Sequence, residues 1–344
     1  MVKKVAIVGA GVVGLSCAVK IAESVADRRN VDVCVFSDKF SPNTTGDGSA
    51  GLWGPYLICD TASDKINKWS DETHQFFHEL WKSGKAAELG ISLIPVTRLI
   101  IDGDGFNPCW SRVVFGFTPV SYEQLDQYSR EHNVKYTAGA HFVTFTCEPT
   151  FLLPYLMKRF QSAGGKVFEK RINNFDELDQ DYDLIINCTG MGAKLLANDR
   201  KVRPIRGQVH RVEASWIFQS TQNDVNYIIP NVGSVVLGGT AQFDDYNENA
   251  SADDSKFIRS GCLNLDPSIA NSTFLKEWVG LRPGRNTIRI EEETIRKRNG
   301  KTCTIIHNYG HGGSGVTTAW GCATDVLDLV KGQLNGVSNV KSKL

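Results

Sequence analysis

The sequence predicts an α/β fold built around a parallel sheet of Rossmann type. Two observations lead to this prediction: the chain opens as a strand, a glycine turn and a helix, and a second apolar strand follows that helix. Length adds a third, because 344 residues with 41% hydrophobic composition can fill more than one core. We therefore predict two domains, interleaved along the chain because no long linker separates them.

The first element is a strand over residues 5–8 that runs into a GxGxxG turn. The first glycine of this pattern permits a tight turn, the second lets a pyrophosphate approach the backbone, and the third lets helix and strand pack closely. The helix N-terminus that follows offers unpaired N–H groups to phosphates. We predict a dinucleotide site rather than a turn that only packs, formed by Gly9, Ala10, Gly11, Val12, Val13 and Gly14.

A second strand over residues 31–36 ends shortly before Asp38. Asp38 follows Gly14 by about 20 residues, which is the spacing of a ribose-binding acid in dinucleotide folds. Asp38 is therefore the predicted ribose ligand.

Composition argues against several classes of function. The formal net charge is +0, so we expect no nucleic-acid partner, and no apolar run of the sequence is long enough for a membrane span. The nine cysteines show neither a CxxC pair nor a zinc-like spacing. We therefore expect no metal site, and reduced thiols inside the cell.

The sequence ends in Ser342-Lys343-Leu344. At a free C-terminus this tripeptide is an address for the peroxisomal import receptor. The sequence therefore predicts that receptor as a partner and the peroxisomal matrix as the location.

Five further segments are more specific than the opening turn. They are residues 37–45 (SDKFSPNTT), 50–53 (AGLW), 227–230 (YIIP), 280–283 (GLRP) and 307–315 (HNYGHGGSG). With the glycine fingerprint and the terminal tripeptide, they resemble the D-amino acid oxidase and D-aspartate oxidase family of flavoproteins along the whole chain. The resemblance implies non-covalent FAD, and D-amino acids and dioxygen as substrates. It leaves a homodimer open.

The resemblance also implies the domain organisation. An FAD-binding Rossmann-type domain is expected from residues 1–52, 146–200 and 286–344, and a mostly antiparallel β-sheet domain that binds substrate from residues 53–145 and 201–285.

Further cofactor contacts are implied residue by residue. The polar loop after the second strand and the glycine-rich segment before the last helix are expected to contact FAD, and the alternative for the loop is an ordinary surface loop. These contacts are Asp38, Lys39, Thr44, Thr45, Ala50, Gly51, Leu52, Val167, Thr189, Gly312, Gly313, Ser314, Gly315, Val316 and Thr317.

Arg282 is the leading candidate for substrate binding. A guanidinium offers two parallel N–H donors that match a carboxylate, which lysine does not reproduce. The resemblance implies that Arg282 clamps the substrate α-carboxylate, that the Tyr227 phenol donates a second hydrogen bond, and that the Gly313 carbonyl accepts from the amine, beside Ser314. The alternative for Tyr227 is a core aromatic of a strand.

The implied reaction is hydride transfer from the α-carbon to the flavin, followed by reoxidation with dioxygen to hydrogen peroxide and hydrolysis of the imine to a 2-oxo acid and ammonia. The D configuration follows if Arg282, Tyr227 and Gly313 point the α-hydrogen at the flavin. His311 is then a structural or cofactor-orienting residue rather than a general base, because this chemistry needs no base there.

The sequence departs from both branches of the family at the positions expected to meet the side chain. Ala241 stands where D-aspartate oxidases have an arginine, and no Arg or Lys lies between Trp216 and Tyr227. A buried second carboxylate without a cation is costly. Gly54, Asn223 and Ala241 are also smaller than their counterparts in the neutral branch. The sequence thus predicts neutral D-amino acids, bulky or basic ones included, with acidic D-amino acids as the alternative.

Three other classes remain as rivals. Glycine and sarcosine oxidases share the fingerprint, but YGHGG together with YIIP favours the D-amino acid branch. A nucleotide-sensing module with a decayed oxidase site would lack Arg282, Tyr227 or the 311–317 segment, all of which are present. The motifs taken together disfavour a nicotinamide dehydrogenase.

Overall fold

The computed structural model of the protein describes residues 2–25, 31–178, 181–296, 300 and 302–335. The terminal tripeptide lies outside these residues. The strands they form are β1 (Lys3–Val8), β2 (Val31–Ser37), β3 (Ile91–Ile100), β4 (Phe115–Pro119), β5 (Ala138–Cys147), β6 (Lys166–Glu169), β7 (Leu184–Asn187), β8 (Arg203–Glu213), β9 (Ser220–Gln222), β10 (Tyr227–Pro230), β11 (Val235–Gly238), β12 (Gln242–Phe243), β13 (Thr273–Gly284), β14 (Arg289–Arg296) and β15 (Thr302–Tyr309).

The α-helices are α1 (Val12–Val25), α2 (Ser63–Leu80), α3 (Tyr122–His132), α4 (Pro149–Ser162), α5 (Ala193–Leu196), α6 (Ala252–Leu265) and α7 (Gly315–Leu334). Short 3-10 turns cover Thr45–Gly48, Phe175–Glu177, Gly190–Gly192 and Pro267–Asn271, and a π turn covers Trp81–Lys85. No helix among the described residues has both the length and the apolar character needed to cross a bilayer.

The first sheet has the strand order β14-β15-β7-β1-β2-β6 in the described part of the chain. Its strands are parallel except β14, which pairs antiparallel with β15 at the edge. In β1, Val5 and Ile7 enter one buried cluster and Ala6 and Val8 enter another. A strand buried on both faces needs an unbroken apolar run, which is the pattern that the sequence shows.

The second sheet has the order β12-β8-β11-β10-β9-β3-β5-β4, with β13 also paired to β8, among the residues described. Its pairs are antiparallel except β3 with β9. The predicted fold class, a Rossmann-type sheet with a second, mostly antiparallel sheet, is confirmed.

Helix α2 departs from the predicted division of the chain. It lies in the range expected for the substrate domain, yet it packs on α7 at the carboxyl end of the cofactor domain. The Phe76 ring stacks on Trp320 with 3.8 Å between ring centroids, and Trp69 Nε1 donates to Asp325 Oδ2 at 2.9 Å. The apolar face of α2 is therefore buried against α7, which belongs to the predicted FAD-binding domain.

Candidate active site

A cavity of about 420 Å³ is lined by strands of the second sheet, by loop residues that include 48–56, and by Val316 at the start of α7. This volume is typical of small-molecule sites. Ten of the residues predicted from the sequence line it: Thr45, Ala50, Gly51, Leu52, Gly54, Asn223, Tyr227, Arg282, Gly313 and Val316.

Arg282 reaches the cavity from β13. Its Nη1 donates to the carbonyl of Thr240 at 3.0 Å, which fixes one edge of the guanidinium. A Cβ atom on Gly207 of β8 would lie 2.2 Å from the same nitrogen, so the missing side chain at 207 makes room for the cation. The Tyr56 ring covers the guanidinium, with 5.8 Å between Cζ and the ring centroid. The guanidinium also lies within hydrogen-bonding reach of the Tyr227 phenol.

Tyr227 begins β10 and is paired with Gly238 of β11. A Cβ atom on Gly238 would lie 2.0 Å from Cζ of Tyr227, and one on Gly239 would lie 2.7 Å from its hydroxyl. The two glycines therefore provide the space for the phenol. Burial raises the pKa of Tyr227 to about 12, with the nearby Arg282 guanidinium acting in the opposite direction. The hydroxyl stays protonated in the physiological range and remains a donor.

Gly313 lies against Tyr56 at the turn before α7. A Cβ atom on Gly313 would lie 2.5 Å from Cδ1 of Tyr56, so a side chain there would displace the tyrosine. The preceding Gly312 has φ +54° and donates its N–H to the Pro283 carbonyl at 2.9 Å. This bond ties the turn to the residue that follows Arg282. The structure thus brings Arg282, Tyr227 and Gly313 to one cavity.

The hydroxyls of Ser314 and Thr317 hold the backbone of residues 54–56. Ser314 Oγ accepts from the Tyr56 N–H and donates to its carbonyl, both at 2.8 Å. Thr317 Oγ1 accepts from the Gly54 N–H at 3.2 Å and donates to its carbonyl at 3.1 Å. Sequence reasoning expected these side chains on the cofactor, and Ser314 on substrate as well. In the structure the hydroxyls support the cavity wall.

The glycine turn fits a dinucleotide pyrophosphate. Gly9 has φ +111°, and a Cβ atom there would lie 2.4 Å from the Cys188 carbonyl oxygen. A Cβ atom on Gly14 would lie 1.9 Å from the Gly9 oxygen, so helix and strand meet at contact distance. A Cβ atom on Gly11, in contrast, would meet no described atom within 4 Å. The backbone at Gly11 is therefore open to a ligand, as the fingerprint requires.

The cavity also offers unpartnered polar atoms. Trp278 Nε1 and Ser49 Oγ are buried and have no hydrogen-bond partner among the described residues, and both residues line the cavity. Such atoms are costly unless a ligand satisfies them. Together with the open backbone at Gly11, they fit a polar cofactor that spans the glycine turn and the cavity.

The other predicted cofactor residues lie at or beyond the edge of this space. Asp38 is exposed after β2, where Arg171 Nη1 lies 3.8 Å from its Oδ2. Thr44 and Thr189 each donate a side-chain hydrogen bond at 2.7 Å, to Asp47 and to Asn187. Predicted residues that do not line the cavity are Gly9, Ala10, Gly11, Val12, Val13, Gly14, Asp38, Lys39, Thr44, Val167, Thr189, Gly312, Ser314, Gly315, Thr317 and Ala241.

Ala241 was expected to meet the substrate side chain, but the structure does not bring it to the cavity. Ala241 is exposed and does not line the cavity. Its neighbour Thr240 is the buried residue, whose carbonyl accepts from Arg282 and whose Oγ1 accepts from the Gln208 N–H at 2.9 Å. Thr240 is buried and Ala241 exposed in the short connection between β11 and β12.

His311 is almost fully buried and does not line the cavity. Burial lowers its pKa to about 4, so the ring is neutral near pH 7. Both features agree with a structural role rather than with a base that titrates near neutrality.

Asn223 stabilises its own loop. Its Oδ1 accepts from the N–H groups of Val225 and Asn226, at 2.9 and 2.7 Å, and its Nδ2 donates to the Tyr136 hydroxyl at 3.3 Å. The residue lines the cavity as predicted, but its amide is committed to the loop.

Sequence reasoning missed several residues of the lining. Arg98 of β3 donates to the Asn223 carbonyl and, at 2.7 Å, to Asp224 Oδ1. A single arginine in the otherwise uncharged segment 91–101 was the available signal. The other lining residues not assigned to the site were Gly48, Ser49, Trp53, Pro55, Tyr56, Phe106, Pro108, Trp110, Phe142, Gly207, Val209, Gln222, Asp224, Val225, Ile229, Trp278 and Gly280.

Comparisons with known proteins identify the family of the chain. Residues 4–329 match the family of FAD-dependent oxidoreductases. The chain is 36% identical to human D-aspartate oxidase over 330 residues, which is 95% of this chain and 94% of the relative. It is also 36% identical to a D-amino acid oxidase of Dugesia ryukyuensis over 332 residues, 95% of this chain and 97% of the relative.

Among solved structures, the glycine oxidase of Geobacillus kaustophilus superposes with a TM-score of 0.77. The alignment covers 99% of this chain and 100% of the oxidase, at 16% sequence identity. This similarity supports the fold.

Proposed function

The chain belongs to the family of FAD-dependent oxidoreductases, and from that premise we propose that it deaminates neutral D-amino acids oxidatively, yielding 2-oxo acids, ammonia and hydrogen peroxide. The enzyme class and the FAD cofactor follow from the family and from the named relatives. The observation that supports the substrate proposal most directly is the convergence of Arg282, Tyr227 and Gly313 on one cavity.

When bound, FAD supplies the acceptor for the hydride of the α-carbon and passes the electrons to dioxygen. The protein supplies orientation. Arg282 offers a charged fork to the α-carboxylate, and the protonated Tyr227 hydroxyl donates beside it. The Gly313 carbonyl accepts from the substrate amine. Three fixed points define the handedness of the α-carbon, so only one enantiomer can direct its hydrogen to the acceptor. Positioning of this kind supplies a large part of catalysis.

The side-chain preference rests on charge. Between Trp216 and Tyr227 the chain carries no Arg or Lys, and Arg98, which contacts this loop, is paired with Asp224. A carboxylate in the substrate side chain would therefore meet an arginine whose charge Asp224 already balances. Ala241 lies outside the cavity lining, so its lack of charge does not bear on the preferred substrate side chain. We expect D-Ala and D-Met to be better substrates than D-Asp.

An acidic preference is the second candidate, because Arg98 lines the cavity and a named relative is a D-aspartate oxidase. The two candidates differ in one measurement. Steady-state turnover of D-Asp above that of D-Ala and D-Met would establish the acidic preference and reject the neutral one.

The test of the reaction itself is the visible spectrum of the purified holoenzyme. Anaerobic D-Ala or D-Met should bleach the flavin band, and L-Ala and L-Met should leave it unchanged. Under air, hydrogen peroxide and ammonia should appear in equal amounts. Bleaching by neither enantiomer, or by the L form, would reject the proposed reaction.

We also propose import into the peroxisomal matrix through Ser342-Lys343-Leu344, on the condition that Leu344 is the free C-terminus. The support is the tripeptide itself. The full chain with a fluorescent protein at its N-terminus should colocalise with peroxisomes, and removal of Leu344 alone should make it diffuse. Unchanged localisation after that deletion would reject the proposal.

A further inference from the structure

Arg98 and Asp224 form a charged pair on the cavity wall, separate from the proposed carboxylate-binding and amine-binding residues Arg282, Tyr227 and Gly313. Arg98 Nη2 lies 2.7 Å from Asp224 Oδ1, and side-chain exposure is 22% for the arginine and 35% for the aspartate. Both residues line the cavity. Arg98 projects from β3 and Asp224 belongs to the loop between β9 and β10, so the pair joins two segments distant in sequence.

The side chains of Arg98 and Asp224 differ in how many of their hydrogen-bonding atoms are already used. Asp224 uses one oxygen for Arg98 and the other for the Ile101 N–H, at 2.7 Å. Arg98 has five N–H donors, and within the described residues its hydrogen bonds run to Asp224 and to the Asn223 carbonyl. The pair is therefore close to neutral overall, yet it retains N–H donors without an acceptor.

The pair also lies near the expected position of the substrate. The Tyr56 ring covers the Arg282 guanidinium, and the Tyr56 hydroxyl is close enough to Arg98 to interact with it electrostatically. Gln222, the register partner of Arg98 on β9, lines the same wall. A substrate held by its carboxylate at Arg282 thus has this polar wall within the same cavity.

We infer that Arg98 is the residue that selects the substrate side chain. Because Asp224 balances its charge, Arg98 donates hydrogen bonds to uncharged side chains that carry an oxygen acceptor. Asp224 repels side chains that end in a carboxylate. The inference rests on the proposed oxidation of D-amino acids and narrows its substrate class to side chains such as amides.

Each class of side chain meets this wall differently. A carboxylate competes with Asp224 for the same cation and is repelled by it. An ammonium group faces Arg98 directly. An amide oxygen accepts from the spare donors without adding charge, and an apolar side chain leaves those donors unsatisfied. The expected order for side chains of similar length is therefore D-Gln, then D-Met, then D-Glu.

Asp224→Asn is the decisive variant, measured as kcat/KM for D-Gln and D-Glu, which have nearly the same shape. Loss of the aspartate charge leaves Arg98 uncompensated, so the ratio of D-Glu to D-Gln should rise about tenfold or more. The rise should come mainly through KM for D-Glu. Asp126→Asn removes one charge from the exposed Arg130–Asp126 pair on α3 and should leave the ratio unchanged.

Arg98→Met tests the donor itself. It should lower the ratio of D-Gln to D-Met about tenfold, because the side-chain hydrogen bond is lost. D-Ala, whose side chain is too short to reach the wall, should be affected less than D-Gln. Flavin absorbance and far-UV circular dichroism report whether each variant is folded and loaded with FAD.

The outcomes separate this inference from the proposed reaction. Flavin bleaching by no D-amino acid rejects the reaction. Normal oxidation of D-Ala and D-Met with unchanged ratios in Asp224→Asn or in Arg98→Met rejects the role of Arg98 alone. A wild-type enzyme that prefers D-Glu to D-Gln overturns the inference without any variant.

Discussion

A Cβ atom on Gly207 would lie 2.2 Å from Nη1 and 2.4 Å from Cζ of Arg282, so the guanidinium occupies the space of the missing side chain. The two residues lie on paired strands, where Gly207 is opposite Gly280, two residues before the arginine. The position of the cation is therefore set by a residue without functional groups.

Gly207→Ala should displace the guanidinium and raise KM for D-Ala by about tenfold or more, since a charged hydrogen bond is worth about 1.5–3 kcal/mol. Steady-state kinetics give KM, and flavin absorbance gives FAD content, which should be unchanged. Gly233→Ala, whose new Cβ would meet nothing closer than 3.7 Å, is the matched control. A wild-type KM in Gly207→Ala would show that the contact does not position Arg282.

Arg282→Ala should raise KM for every substrate steeply, by about 100-fold or more, and lower kcat as orientation is lost. Arg282→Lys should recover only part of the loss, because an ammonium group cannot donate two parallel hydrogen bonds. Stopped-flow reduction of the flavin separates binding from the chemical step. Near-normal kinetics in Arg282→Ala would contradict the anchoring role.

Tyr227→Phe should raise KM by about tenfold, with a smaller effect on kcat, because one hydrogen bond to the carboxylate is lost. The pKa of the phenol is raised to about 12, so its proton stays in place up to about pH 10. Wild type and Tyr227→Phe should therefore show the same alkaline limb of kcat/KM below pH 10. A limb present only in wild type would show that the phenol titrates earlier.

His74 makes stability depend on pH. It is 4% exposed, and burial lowers its pKa from 6.5 to about 4. As the pH falls from about 6.5 to 4, His74 binds a proton in the unfolded chain but not in the folded protein. The free energy of unfolding therefore decreases. At pH 5 the loss is about 2 kcal/mol.

His74→Gln should therefore reduce the drop in Tm between pH 7 and pH 5 by about 2–3 °C relative to wild type. Equal drops in His74→Gln and wild type would contradict a buried neutral His74.

Local patterns predicted the nucleotide half of the molecule well. The strand before Gly9 and the helix after Gly14 follow from spacing within about 25 residues, and the structure shows the close packing that the fingerprint requires. The same holds for β7, whose first three residues form a continuous buried apolar run before Asn187.

The cavity wall was less accessible to sequence reasoning because distant strands form it. Arg98 meets the 223–226 loop through the parallel pairing of β3 with β9, which joins Arg98 to Gln222. Such a register depends on the whole sheet, and no local pattern specifies it. For Ala241 the pattern named a segment that contacts Arg282, but it is the adjacent Thr240 whose carbonyl makes the contact.

Two hydroxyls at the start of α7 hydrogen-bond the main chain of residues 54–56, as a neighbouring strand would in a sheet. Ser314 and Thr317 each satisfy both the N–H and the carbonyl of one residue, Tyr56 and Gly54. This support addresses the main chain alone. A side chain at 54, whose Cβ would meet no described atom within 4 Å, therefore leaves this support intact, whereas loss of the alcohol at 314 or 317 removes it.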